Sequence, residues 1–355
     1  MSSTRDNQGA IPVNIVTGSL GAGKTTAIAR LLASKPVHEY WVVILNEFTD
    51  TGIDTLTLAA AAQGVYDLRM IPGGCLCCTG EQDFRQQLSA LLAQAPERRP
   101  VRIIIEPSGI AHPGAIVDEL RGFERSGALR LLSTIALIDA QSWSVAASLT
   151  PVMSEQVDAA DVVLLSKAEL ADAPVHQQFM QWAESLFPAK RYVGLSSRGV
   201  LPEAAFSPPQ PVFDFERSLR LVVKNKMHQH EHMPEVSSQS LCWVDQLVLA
   251  RIQTLLSRQA CGWMIPASLL FDLPQLQAFL VDDSGWQGVE RFKAVLRTGV
   301  DCWHLLQRWG QKSSLEVSGW RQDNRIEVQL AEGVSTDWSA WHARWQAMSE
   351  ACPVS

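Results

Sequence analysis

A chain of 355 residues exceeds what one ordinary core holds and predicts two domains. With 46% hydrophobic and 19% charged residues it has the composition of a soluble globular protein, and a net charge of −7 argues against a non-specific nucleic-acid binder. No apolar stretch is long enough to span a bilayer, and the polar start MSSTRDNQGA lacks the apolar core of a secretory signal. These features predict a cytoplasmic protein, so clustered thiols point to metal or redox chemistry before structural disulfides.

In chain order, the run from Pro12 to Val16 reads as a short buried strand, Gly18 to Thr25 as a glycine loop, and Thr26 to Ala33 as a helix. Trp41 to Leu45, Val101 to Ile105, Thr134 to Ile138, Asp161 to Leu165 and Arg191 to Leu195 are further strand candidates, each short, β-branched and followed by a polar residue. Helical patterns separate them at Glu81 to Gln94, Pro113 to Arg121 and Val175 to Leu186. Such alternation predicts an α/β fold, a parallel sheet with helices on both faces, and a ligand site beyond the carboxyl ends of the strands. After about Pro208 the pattern changes. The proline-rich run from Ser207 to Pro211 reads as a stiff exit, and a segment with His228, His230 and His232 follows.

From about Ser240 a second alternation begins. It holds a strand at Cys261 to Ile265, a helix at Ala267 to Leu280, and strand-like runs at Phe292–Arg297, Trp303–Trp309, Ser314–Trp320 and Arg325–Leu330. The closing stretch from Asp337 to Ala347 reads as a helix whose Trp338, Trp341 and Trp345 pack a core. The expected division is 1–210 for the sheet domain, 211–239 for a His-bearing linker, and 240–355 for a smaller C-terminal α+β domain.

GSLGAGKT, Gly18 to Thr25, matches the P-loop pattern G-x-x-x-x-G-K-[ST]. Glycines let successive backbone N–H groups converge on phosphate oxygens at a helix N-terminus. Lys24 can then reach the β- and γ-phosphates and the Thr25 hydroxyl can hold Mg²⁺.

Three of the seven cysteines, Cys75, Cys77 and Cys78, fall within the run Ile71-Pro-Gly-Gly-Cys-Leu-Cys-Cys78. On an extended chain Cys75 and Cys77 share a side, and the Pro72-Gly73-Gly74 turn allows the curvature that brings in Cys78. A trithiolate suits Zn²⁺, with Co²⁺ and Fe²⁺ not excluded, and leaves a fourth position open, as handing a metal on requires. A thiol–disulfide switch and plain packing are the alternatives. His228, His230 and His232 share a face of an extended chain, and read either as metal collectors or as a solvated linker. His112, just after Glu106 to Gly109, stands open between a place near the nucleotide and a structural role. Asp139 is equally open between support of Mg²⁺ and structure. The isolated Cys242, Cys261, Cys302 and Cys352 read as packing.

These blocks, in this order, resemble the CobW-like metallochaperone GTPases, with the zinc-handling members most similar. The matching residues are Gly18 to Thr26, the block Asn46-Glu-Phe-Thr-Asp-Thr-Gly-Ile-Asp54, the thiol block Gly73 to Cys78, Glu106-Pro-Ser-Gly109, and Leu137-Ile-Asp-Ala140. The resemblance covers most of 12–200, and Ala260 to Trp263 and Arg291 to Arg297 extend it weakly into the second half. It implies a P-loop GTPase domain that binds Mg²⁺ and GTP, carries metal on Cys75, Cys77 and Cys78, and delivers it to a client protein. It also implies that Gly18, Gly21, Ala22, Gly23, Lys24, Thr25 and Thr26 hold phosphate, and that Glu47 and Glu106 lie near Mg²⁺ or its waters and act with Lys24 in hydrolysis. Ser166, Lys167, Glu169 and Ser196 take the base-reading positions.

The sequence departs from the family pattern where N-K-x-D reads Ser166-Lys-Ala-Glu169, which weakens guanine preference by about one to two decades and makes ATP conceivable. It also departs at Thr49-Asp50, in place of Gly-Glu. A small-molecule kinase with a structural zinc site and a nucleotide-regulated metal store or sensor are the rival functions. The client's identity and the oligomeric state, a homodimer included, stay open.

Overall fold

The structure is a computed structural model, and it describes residues 9–45, 66–70, 81–94, 99–109, 111, 113–143, 149–207, 237–243, 248–255 and 257–351. The chain divides into two compact units, Met1–Pro211 and Val212–Ser355.

The first unit begins with β1 (Ile11–Gly18), α1 (Lys24–Ser34), β2 (Trp41–Leu45) and β3 (Tyr66–Met70). It continues through α2 (Glu81–Leu92), β4 (Arg102–Glu106), α3 (Pro113–Arg125) and β5 (Leu129–Asp139). It closes with α4 (Pro151–Ala159), β6 (Val162–Ser166), α5 (Ala173–Glu184) and β7 (Tyr192–Leu195). Among the described residues seven strands form one sheet in the order β3-β2-β4-β1-β5-β6-β7. Every pairing in it is parallel.

The near-continuous Val, Ile and Leu content of these strands reflects burial on both faces. Ile15, Ile44 and Ile105 pack against Phe84 and Leu88 of α2 and Ile116 and Leu120 of α3. Val43, Ile104 and Leu137 pack against Ala27, Ile28 and Leu32 of α1. Register sets the carboxyl ends level: Leu45 pairs with Glu106, Gly18 with Leu137, and Asp139 with Ser166.

Several elements differ from the sequence reading. β5 starts at Leu129, five residues before the expected Thr134, and runs beside all of β1. β3 was not expected, because Asp67 and Arg69 interrupt its apolar pattern. The two are joined by an ion pair of 3.0 Å on the edge strand. α4 was not expected either; Thr150 caps it by accepting the Met153 N–H, and proline occupies its first turn.

At the opposite end of the sheet Asp161 is wholly buried and accepts the Thr134 N–H at 2.8 Å. Burial pushes its carboxyl up to about 6, against the Thr134 N–H and the cations of Lys190, Arg191 and Arg121, which pull it down. A carboxyl whose pKa folding raises stabilises the fold fully below its unfolded value, and that contribution is lost as pH rises through about 6. An Asp161→Asn chain keeps the acceptor without the charge. Its urea-unfolding free energy therefore gains on the parent's by about 2 kcal/mol between pH 4 and pH 7.5. A difference that stays flat with pH contradicts this account.

The second unit holds β8 (Ser237–Trp243), β9 (Val248–Leu255), β10 (Arg258–Ile265), β11 (Leu269–Phe271), α6 (Leu273–Val281) and β12 (Val289–Arg297). It ends with β13 (Trp303–Trp309), β14 (Lys312–Val317), β15 (Asn324–Leu330), α7 (Trp338–Ala347) and β16 (Ser349–Ala351). Among the described residues an antiparallel sheet runs β14-β13-β12-β15-β10-β9-β8, and β11 pairs with β16.

The expected helix over Ala267 to Leu280 is thus a strand followed by a helix. Asp272 makes the break, its carboxylate capping α6 through the Gln275 N–H at 2.9 Å. Trp338, Trp341 and Trp345 are buried with Trp263, Trp286 and Phe292 in the core, as their spacing predicts. Cys261 is buried in the same core. Cys302 is half-buried beside His304, 3.8 Å from sulfur to ring nitrogen.

Candidate nucleotide site

The phosphate end of the site grows from the turn between β1 and α1. Gly21 and Gly23 have φ of +81° and +84°, with open space where a Cβ would sit. Only glycine takes such angles without strain, and they turn the loop N–H groups inward. Lys24 opens α1; its buried side chain folds over the loop, with Nζ 3.2 Å from the Ser19 carbonyl. Thr25 Oγ1 donates to Glu106 Oε1 at 2.9 Å. Glu106 is 7% exposed at the end of β4, so the parallel register that aligns the strand tips also delivers this carboxylate to the loop.

A hydroxyl and a carboxylate converging beside a phosphate cradle form the hard oxygen set that suits Mg²⁺ and not a soft ion. Among the described residues, the buried Thr17 and Ser108 hydroxyls near these two strand tips have no hydrogen-bond partner.

Beyond the loop lies a cleft of about 400 Å³ lined by Ala22, Gly23 and Thr26 on one side and Ser166, Lys167 and Glu169 on the other. Ser196 and Arg198 also line it. The tips of β6 and β7 are stitched together by the Ala168 N–H to Ser196 carbonyl bond at 3.1 Å and the Ser196 N–H to Leu165 carbonyl bond at 2.8 Å. Lys167 adopts φ of 52°, and its ammonium pairs with Asp139 Oδ2 at 2.7 Å. Asp139, left open by the sequence, therefore braces the loop after β6. The Ser166 hydroxyl donates to the Ile138 carbonyl at 3.1 Å.

Glu169 Oε2 accepts the Arg198 N–H at 2.8 Å. That N–H, then Glu169's own N–H and the Ser197 hydroxyl, holds this exposed carboxyl below its ordinary range. The cleft thus presents a carboxylate that stays charged, a feature able to accept N–H donors from a purine edge. The extra methylene of Glu169 is spent on reaching the loop after β7.

The structure therefore gathers the P-loop residues, Glu106, Ser166, Lys167, Glu169 and Ser196 at one edge of the sheet. Glu47, Cys75, Cys77, Cys78, His112, His228, His230 and His232 lie outside the described residues. Gln156 was missed by the sequence reading, because it lies on a helix that the pattern did not reveal. Arg198 contributes its backbone N–H to Glu169.

The chain also resembles known proteins. The family model described as CobW/HypB/UreG, nucleotide-binding domain, matches residues 12–193. The zinc chaperone YeiR of Escherichia coli (strain K12) is 29% identical over 330 residues, covering 92% of this chain and 94% of that protein. The zinc chaperone CobW of a Sinorhizobium species is 32% identical over 200 residues, 49% of this chain and 55% of that protein. The solved zinc-bound YjiA GTPase from E. coli aligns with 96% of this chain and 100% of its own, at 16% identity and a TM-score of 0.40. With the family model matching residues 12–193, the chain belongs to the CobW/HypB/UreG nucleotide-binding family and is an NTP hydrolase of that family.

Proposed function

We infer that the chain is a GTP-hydrolysing metallochaperone that carries zinc on Cys75, Cys77 and Cys78 and passes it to a client protein. The observation that carries the reading is the meeting of the Thr25–Glu106 bond with the cleft holding Glu169, in a chain whose thiol block lies between Leu45 and Glu106 in sequence. In P-loop switches, segments in that interval change order with the γ-phosphate, so a metal loop there is positioned to respond to hydrolysis.

The chain's own groups supply electrostatics and placement. Lys24 and the loop N–H groups neutralise the phosphoryl oxygens, and Thr25, Glu47 and Glu106 hold the place of Mg²⁺. Mg²⁺, when bound, withdraws charge from those oxygens. Glu169 accepts from the guanine edge, while Ser166, its hydroxyl turned to Ile138, gives up the amide contact of the usual asparagine. Guanine preference is accordingly modest. No Gln or Arg is assigned to the attacking water, so turnover is slow until metal or client binds.

The working division is a GTPase domain over 1–210, a linker over 211–239 whose His228, His230 and His232 assist metal collection, and a C-terminal domain over 240–355. YeiR and CobW are named zinc chaperones, which supports zinc as the cargo.

Zinc titration of the purified chain and of a Cys75/Cys77/Cys78→Ala variant tests this reading. The parent is expected to hold one tight zinc per chain, and the variant to lose it. Equal tight binding by both removes the thiols from the function.

A further inference from the structure

Gln156 is a polar side chain 2% exposed on α4. Its amide Nε2 donates to the Gly109 carbonyl at 3.1 Å, across 47 residues of sequence. Gly109 ends the Glu106-Pro-Ser-Gly109 block, and the Ala111 N–H to Ser108 carbonyl bond at 3.0 Å bends the chain around it. On its other side Gly109 touches the P-loop. A Cβ there would sit 2.7 Å from the Leu20 nitrogen and 3.2 Å from the Ser19 carbonyl carbon, so the site admits no larger residue. Lys24 Nζ reaches that same Ser19 carbonyl. The Gly109 turn therefore stands where the lysine that serves the outer phosphates ends, clamped between the P-loop and α4.

We propose that Gln156 is a positioning residue for the terminal phosphate: it holds the Gly109 turn against the P-loop so that the chain distinguishes a nucleoside triphosphate from a diphosphate. The inference rests on the GTPase reading above. An amide buried this deeply costs free energy unless bonded, and its bond fixes one peptide plane of the turn. On this proposal the turn meets the terminal phosphate, which a diphosphate lacks, so Gln156 bears on triphosphate binding alone.

A Gln156→Met variant keeps the length and removes the donor. Its affinity for GDP is expected to stay within about twofold of the parent's, while affinity for a non-hydrolysable GTP analogue and turnover each fall about tenfold. KM and kcat are read separately. A purely structural role would lower both nucleotide affinities together, and that result, or no change in either, overturns the inference. In the parent chain, hydrogen exchange across 153–159 supplies a readout that needs no variant. Exchange is expected to be slower with the analogue than with GDP, and identical exchange overturns the proposal. If the parent itself neither binds nor hydrolyses GTP, the GTPase reading falls and this inference with it. If the parent does both and only the Gln156 results fail, the GTPase reading stands alone.

Discussion

A Lys24→Ala chain hydrolyses nucleotide about 10²–10³-fold more slowly than its parent. Lys24 is the first residue of α1, and its ammonium already lies over the loop, 3.2 Å from the Ser19 carbonyl. A buried cation held at that point acts through a low-dielectric path on charge that grows on the phosphoryl oxygens, where one preorganised group is worth several kcal/mol. The fold survives the change. Removing a positive charge from the first turn of a helix relieves an unfavourable dipole interaction, and alanine is the strongest helix former. Phosphate release measured at saturating GTP, with circular dichroism as the control, checks this. A loss under tenfold in a folded variant contradicts the role assigned to Lys24.

A Trp345→Ala chain loses about 3–5 kcal/mol of stability in the second unit. Trp345 is 1% exposed. It stacks on Phe292 with ring centroids 6.0 Å apart, and meets Phe279 edge-on at 5.2 Å and Trp263 at 6.1 Å. Its removal leaves a cavity with rigid aromatic walls, which relax little. Since single domains hold only about 5–15 kcal/mol in all, the unit sits near its unfolding threshold. Urea unfolding followed by tryptophan fluorescence should show the corresponding transition moved to much lower denaturant. A shift worth less than about 1 kcal/mol would mean that α7 does not anchor this core.

The parallel sheet was legible because its strands are short β-branched runs that stop at polar residues, and burial on both faces demands that composition. The P-loop was legible because its glycine spacing and its lysine are fixed by phosphate geometry. β3 was not, since an edge strand tolerates Asp67 and Arg69 where a central strand does not. α4 was hidden because it is only 9 residues long and opens on Pro151, and Gln156 was hidden with it. The helix read over Ala267 to Leu280 failed at Asp272, a capping residue whose position marks the true start of α6. In the cleft, the sequence singled out Glu169 within Ser166-Lys-Ala-Glu169, but its tether was not legible. The Arg198 N–H lies 29 residues away, and only the pairing of β6 with β7 brings the two together. Motif chemistry was thus readable locally, whereas the contacts that brace it are set by sheet register.

The central claim is that the state of the nucleotide governs how firmly Cys75, Cys77 and Cys78 hold zinc. The direct measurement is the zinc dissociation constant of the parent chain by competition with a chromophoric chelator, once with Mg²⁺ and a non-hydrolysable GTP analogue and once with Mg²⁺ and GDP. Coupling of the size common between linked sites predicts zinc held about 5–150-fold more tightly in the triphosphate state, with the difference gone when the three cysteines are replaced by alanine. Equal zinc affinity in the two nucleotide states would contradict the account.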